Sequence, residues 1–152
     1  MAGIVFWFEN NDRDVFSGRK VDLDAWRYAV KAGGIEKARC FNATELELQF
    51  DLGFDFKIAG KDDIDYLEWV DQHRDENLVF FDTEWTCPDF AIPFAEVNHK
   101  DVDWYIFGRA AGLPGVPDER FTYAYLPING KGALHSLHVA SAVLLRRWEM
   151  VR

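Results

Sequence analysis

Apolar and polar positions along the chain fall into short runs whose order predicts alternating strands and helices. Gly3 to Glu9 (GIVFWFE) is a continuous run of β-favouring apolar residues, the pattern of a strand buried on both faces of a parallel sheet. Asp22 to Ala32 places Leu23, Trp26, Ala29 and Val30 at helical spacing, and Gly33-Gly34 supplies a stop. Lys37 to Ala43 predicts a second strand. Glu45 to Ile58 alternates strictly, with Leu46, Leu48, Phe50, Leu52, Phe54, Phe56 and Ile58 on one face, which predicts a long strand or a hairpin broken near Gly53. Asp62 to Gln72 predicts a helix with Ile64, Leu67, Trp69 and Val70 on its apolar side and acids in its first turn, where the helix dipole favours them.

Three further strands are expected at Leu78 to Asp82, Trp104 to Gly108 and Tyr123 to Ile128, followed by an apolar helix from Ser136 to Met150 that ends in arginines. This alternation predicts an α/β fold, a mostly parallel sheet with helices on both faces. A chain of 152 residues without repeat, low-complexity segment or linker reads as one domain, 1–152. Its 49% hydrophobic and 16% aromatic content excludes a disordered class.

The apolar runs fall far short of the roughly 20 residues of a membrane span, and no export signal is visible. Cys40 and Cys87 stand alone, without metal-ligand spacing, as expected of reduced thiols in a cytoplasmic protein. Asp and Glu number 26 against 17 Lys and Arg, a formal charge of −9. That balance counts against unaided, tight RNA binding, because phosphates need cationic partners. Arg109, Lys131, Arg146, Arg147 and Arg152 are the candidates for a local basic patch.

Three consecutive pieces of the last third carry a resemblance. Trp104-Tyr105-Ile106-Phe107-Gly108 with Gly112-Leu113-Pro114, then Leu126-Pro127-Ile128, then Ser136-Leu137-His138-Val139-Ala140-Ser141-Ala142-Val143 occur in order. Together they resemble the cofactor-binding half of the SPOUT (α/β-knot) RNA methyltransferases, in the ribose 2′-O-methyltransferase branch. The resemblance implies a C-terminal trefoil knot, bound S-adenosylmethionine, methyl transfer to a 2′-hydroxyl of tRNA or rRNA, and a homodimer through the C-terminal helix region. Carried over by motif, the cofactor contacts fall on Thr83, Phe107, Gly108, Arg109, Gly112, Leu126, Pro127, Ile128, Ser136, Leu137 and His138. Glycines there let backbone approach a ligand closely, at strand-end loops where α/β sheets bind cofactors.

The chain also departs from the family pattern. The loop between Gly108 and Gly112 is Arg109-Ala110-Ala111, one residue shorter than the family's and without its Glu. His138 and Ala140 stand where the family has Asn and Ser. Of the early Asn-x-Gly-x-x-x-Arg motif, laid over Val21 to Arg27, only Arg27 survives. Arg27 and His138 are therefore the catalytic candidates: an arginine to stabilise a developing alkoxide, a histidine as hydrogen-bonding partner or base. The alternative is a catalytically inactive cofactor-binding or protein-interaction module with the same fold. His135 and His138 lack further ligands at metal spacing. Asp82-Thr83-Glu84 resembles the Asp-x-Glu opening of two-metal exonucleases, but it stands mid-chain without partner acids.

Overall fold

The apolar runs of the sequence become the central strands of one parallel sheet. The computed structural model describes residues 2–7, 30–35, 37–42, 55–108, 112–127 and 136–151, with the backbone alone at 136–138. Among these are β1 (Gly3–Trp7), β2 (Lys37–Phe41), β3 (Asp55–Gly60), α1 (Asp63–Gln72), β4 (Leu78–Phe81), β5 (Ile92–Pro93), β6 (Trp104–Phe107), β7 (Thr122–Tyr125) and α2 (Ser136–Val151). The strand order is β3-β2-β1-β6-β4-β7-β5, and every neighbouring pair is parallel. The chain first builds outward from β1, then returns twice to the interior, laying β6 between β1 and β4 and β7 between β4 and β5.

Period-two alternation sorts the apolar side chains onto two faces. Ile4, Phe6, Val79, Phe81, Tyr105 and Phe107 point to one face, where Val30, Ala140, Val143 and Leu144 cover them. Val5, Trp7, Leu78, Phe80, Trp104 and Ile106 point to the other, against Tyr66, Trp69 and Val70 of α1. Helices thus lie on both faces, as the α/β pattern predicts. The rings of Phe6, Phe41, Phe81 and Phe107 are fully enclosed, each contributing about 1.5–3 kcal/mol of burial.

Local chemistry sets the helix ends. Asp62 caps α1 by accepting the Asp65 N–H at 3.0 Å, while Asp65 reaches back to the Lys61 N–H at 2.7 Å. The helix that ends at Gly33 closes with a six-residue motif: Ile35 N–H donates to the Val30 carbonyl and Gly34 N–H to that of Lys31, with Gly34 at φ +73°. Of the Asp22–Ala32 helix, residues before Val30 lie outside the described residues. So does most of the Glu45–Ile58 alternation, of which Asp55 onward is strand β3.

The structure corrects two expectations and adds elements beyond them. On α1 the buried stripe is Tyr66, Trp69 and Val70, whereas Ile64 and Leu67 remain 67% and 45% exposed. Their spacing is helical, but they face the Leu113–Asp118 segment instead of the sheet. Strand β7 ends at Tyr125, because Pro127 has no N–H to continue a ladder. The two-residue edge strand Ile92–Pro93 and the 3-10 turns Phe94–Glu96 and His99–Asp101 are not anticipated by periodicity.

Helix α2 rests on β6 and these turns. Beneath it a buried polar chain ties these turns to β6: the Tyr105 hydroxyl donates to His99 Nδ1 at 2.8 Å, and His99 Nε2–H donates to the Phe94 carbonyl at 3.2 Å. Burial holds the His99 imidazole neutral, its pKa lowered from 6.5 by desolvation; the Phe94 carbonyl opposes this and nearby Arg146 and Arg147 add to it. Burial likewise pushes the Tyr105 hydroxyl up, so it stays a donor. The expected knot depends on the connections after β6 and β7, parts of which (109–111 and 128–135) lie outside the described residues. Among the described residues no helix is long and apolar enough to cross a membrane.

Candidate functional site

Three adjacent strands, β6, β4 and β7, end together at one edge of the sheet, and their last residues remain tied beyond the strands. Gly108 N–H donates to the Phe81 carbonyl at 3.3 Å, and Asp82 N–H donates to the Ala124 carbonyl at 3.3 Å. This carboxyl-end edge is where open parallel sheets bind ligands, because the loops leaving it diverge and leave main-chain groups facing outward.

The turn Asp82–Cys87 ties the loop after β6 and strand β7 to the end of β4. Asp82 Oδ1 accepts the Thr83 N–H at 2.8 Å and the Thr86 hydroxyl at 2.7 Å, and the Thr83 hydroxyl donates in turn to Thr86 Oγ1 at 2.7 Å. The other carboxylate oxygen of Asp82 accepts the Leu113 N–H at 3.4 Å, reaching the loop after β6. Cys87 Sγ donates to the Ala124 carbonyl at 3.5 Å, on β7. Burial, reinforced by the Asp82 charge, pushes the Cys87 thiol up to about 11, so it is a neutral donor and not a nucleophile. Gly112 sits at φ +85°, a conformation that a side chain would strain.

Most of the described residues expected to hold cofactor meet at this edge. Thr83 follows β4, Gly108 and Gly112 flank the loop after β6, and Leu126 and Pro127 follow β7. Phe107 is the last residue of β6, but its ring stacks on Phe81 at 5.2 Å inside the core, so any ligand contact there is left to its main chain. The Thr83 hydroxyl is spent on the turn. Ser136, Leu137 and His138 form the first turn of α2, described in backbone only. Arg27, Arg109 and Ile128 lie outside the described residues.

Asp82 itself is the residue that motif reading missed as part of this site. Its signal is present: Asp82, Thr83 and Thr86, directly after a strand, are turn-forming side chains at turn spacing. The same hydrogen bonds answer the Asp-x-Glu resemblance, since the Asp82 carboxylate serves backbone and hydroxyl donors. Among the described residues no three His, Cys, Asp or Glu side chains cluster to hold a metal ion.

Comparison with known proteins separates sequence from fold. No family model matches the chain, and no curated protein matches it. Solved structures do. An RNA 2′-O ribose methyltransferase aligns over 97% of this chain at 17% identity with a TM-score of 0.67. The SpoU methyltransferase AviRb from Streptomyces viridochromogenes, in complex with AdoMet, aligns over 97% at 15% identity with a TM-score of 0.66. The chain spans 56% and 57% of the length of these two. A third structure, concerned with 2-OH methylation of C/U34 on tRNA, aligns over 99% of this chain and 95% of its own at 14% identity and a TM-score of 0.62. The chain therefore has the α/β fold of the SpoU/TrmH RNA 2′-O-ribose methyltransferases, the SPOUT class.

Proposed function

We propose that the chain is an S-adenosylmethionine-dependent RNA 2′-O-methyltransferase, acting on tRNA or rRNA, with the cofactor at the shared ends of β4, β6 and β7. The observation that carries this reading is the Asp82 turn, which joins two of the strand-end segments that the motifs assign to the cofactor, in a fold whose AviRb example holds AdoMet.

The residues present suit such a cofactor. A Cβ on Gly108 would come within 3.3 Å of both Leu113 Cγ and the Phe81 carbonyl, so the loop closes over bare backbone there. The Gly108 carbonyl and main-chain groups of Gly112 and Leu126 would hold it, together with Arg109, Ile128 and Ser136 to His138, while Thr83 shapes the turn beside it. When bound, S-adenosylmethionine supplies an electrophilic methyl group. The chain's part is positional: Arg27 orients the ribose hydroxyl and stabilises its developing charge, and His138 hydrogen-bonds it or takes its proton. A cytoplasmic, single-domain homodimer assembled through the α2 region completes the reading. It is supported by Cys40 and Cys87, neither of which forms a disulfide, and by Leu145 and Trp148, exposed on α2.

A second reading, a module that binds without transferring methyl, is favoured by the net charge of −9 and by the acid-free Arg109-Ala110-Ala111 loop. Tritium transfer from labelled cofactor to bulk tRNA and rRNA separates the two. Label in RNA that disappears with Arg27→Ala supports the enzyme; calorimetric cofactor binding without label supports the module. No binding at millimolar cofactor contradicts both.

A further inference from the structure

A groove of about 560 Å³ runs between α1 and the Leu113–Asp118 segment, on the sheet face opposite α2. Its floor includes Val70, Phe80 and Tyr123. Its walls carry apolar side chains that point away from the core: Ile64, Leu67 and Val116, the last 91% exposed. Three of the seven exposed large apolar residues among those described therefore line one groove, whereas surface apolar residues are ordinarily scattered singly.

The groove is also acidic. Glu68, Asp71, Asp82 and Asp118 line it against one guanidinium, Arg74, which is already paired with Asp71 at 2.6 Å and Asp118 at 3.5 Å. Asp118 pairs in addition with Arg120 at 2.6 Å. Like-charge repulsion excludes an RNA backbone from such walls. A small ligand does not suit an open trough whose apolar lips stand in solvent, because small-molecule sites enclose most of their ligand. An amphipathic protein segment does: apolar anchors meet the exposed Ile64, Leu67 and Val116, and cationic side chains meet the carboxylates. Pro114 and Pro117 restrict the backbone of one wall, so little ordering is required on binding.

We propose that this groove docks a basic, amphipathic segment of a partner protein. On a chain of net charge −9, such a partner brings lysines and arginines that RNA phosphates require; that purpose rests on the methyltransferase reading, while the docking does not. The test uses the whole chain and a fluorescein-labelled amphipathic Leu/Lys peptide of about five helical turns, followed by fluorescence anisotropy. The expected result is saturable binding that weakens with salt and falls about tenfold in Leu67→Asp and in Val116→Asp, both made at solvent-exposed positions. Ala32→Asp, which adds the same charge at an exposed position on the opposite face, leaves the affinity unchanged. Absence of saturable binding overturns the proposal, as does an equal loss in Ala32→Asp. Displacement of the peptide by single-stranded oligouridine, with the same sensitivity to Leu67→Asp, also overturns it by making the groove an RNA site. Cofactor titration of the same samples reports separately on the methyltransferase reading.

Discussion

Replacing Asp82 with alanine removes the acceptor that joins the turn after β4 to the loop after β6. Two of its hydrogen bonds are short, 2.8 Å from the Thr83 N–H and 2.7 Å from the Thr86 hydroxyl; the third, from Leu113 N–H, is long at 3.4 Å. A hydrogen bond to a charged group contributes roughly 1.5–3 kcal/mol when buried, and nearer 0.5–1.5 kcal/mol when water can replace it. Asp82 is half-buried and Thr86 exposed, so the lower range applies to the two short bonds and little to the third. The expected loss is about 2 kcal/mol in urea unfolding at neutral pH. Asp82→Asn should lose less, since it keeps an acceptor for the turn, but its amide group presents a donor to the Leu113 N–H. Amide exchange at Leu113 should therefore accelerate in both variants, and cofactor affinity should fall in both. A loss below about 0.5 kcal/mol in Asp82→Ala, or unchanged protection at Leu113, would refute the reasoning.

Other outcomes follow from the fold. Gly34→Ala should cost about 1 kcal/mol through backbone strain alone, because φ is +73° while the nearest Trp148 atoms stand 3.6 Å from the added Cβ; thermal melting reads it. Leu144→Ala, at a side chain 1% exposed under α2, should cost about 2–5 kcal/mol in urea unfolding. His99 is held neutral in the fold below its ordinary pKa of 6.5, so the unfolded chain binds the extra proton. Its stabilising contribution is complete above about pH 6.5 and is lost as pH falls toward the lowered folded value. Melting temperature should thus fall between neutral and mildly acidic pH, and His99→Gln should flatten that slope even though it lowers stability at pH 7.

The parts legible in the sequence are those in which one physical signal dominates. Strands β1, β4 and β6 are buried on both faces, so each is an uninterrupted apolar run bounded by polar residues or glycine. The α1 boundaries follow from Asp62 and its capping partner Asp65. Its buried face does not, because Ile64 and Leu67 keep the helical period while serving the open groove, and periodicity cannot tell a core from a docking wall. Strand β5 is two residues long, too short to show any period. At the site, the glycines and Leu126-Pro127 are visible in motif order. The Asp82 link to Leu113, 31 residues away, is visible only in the fold. The same holds for the buried hydrogen bond between His99 and Tyr105.

The central claim, cofactor at the joined ends of β4, β6 and β7, is tested most directly by amide NMR during titration with S-adenosylmethionine. The account predicts saturable shifts at Thr83, Gly108, Leu113 and Leu126, with Asn77 and Asp103 at the opposite edge of the sheet unmoved. Saturable shifts confined to that opposite edge, or none at millimolar cofactor, would contradict it.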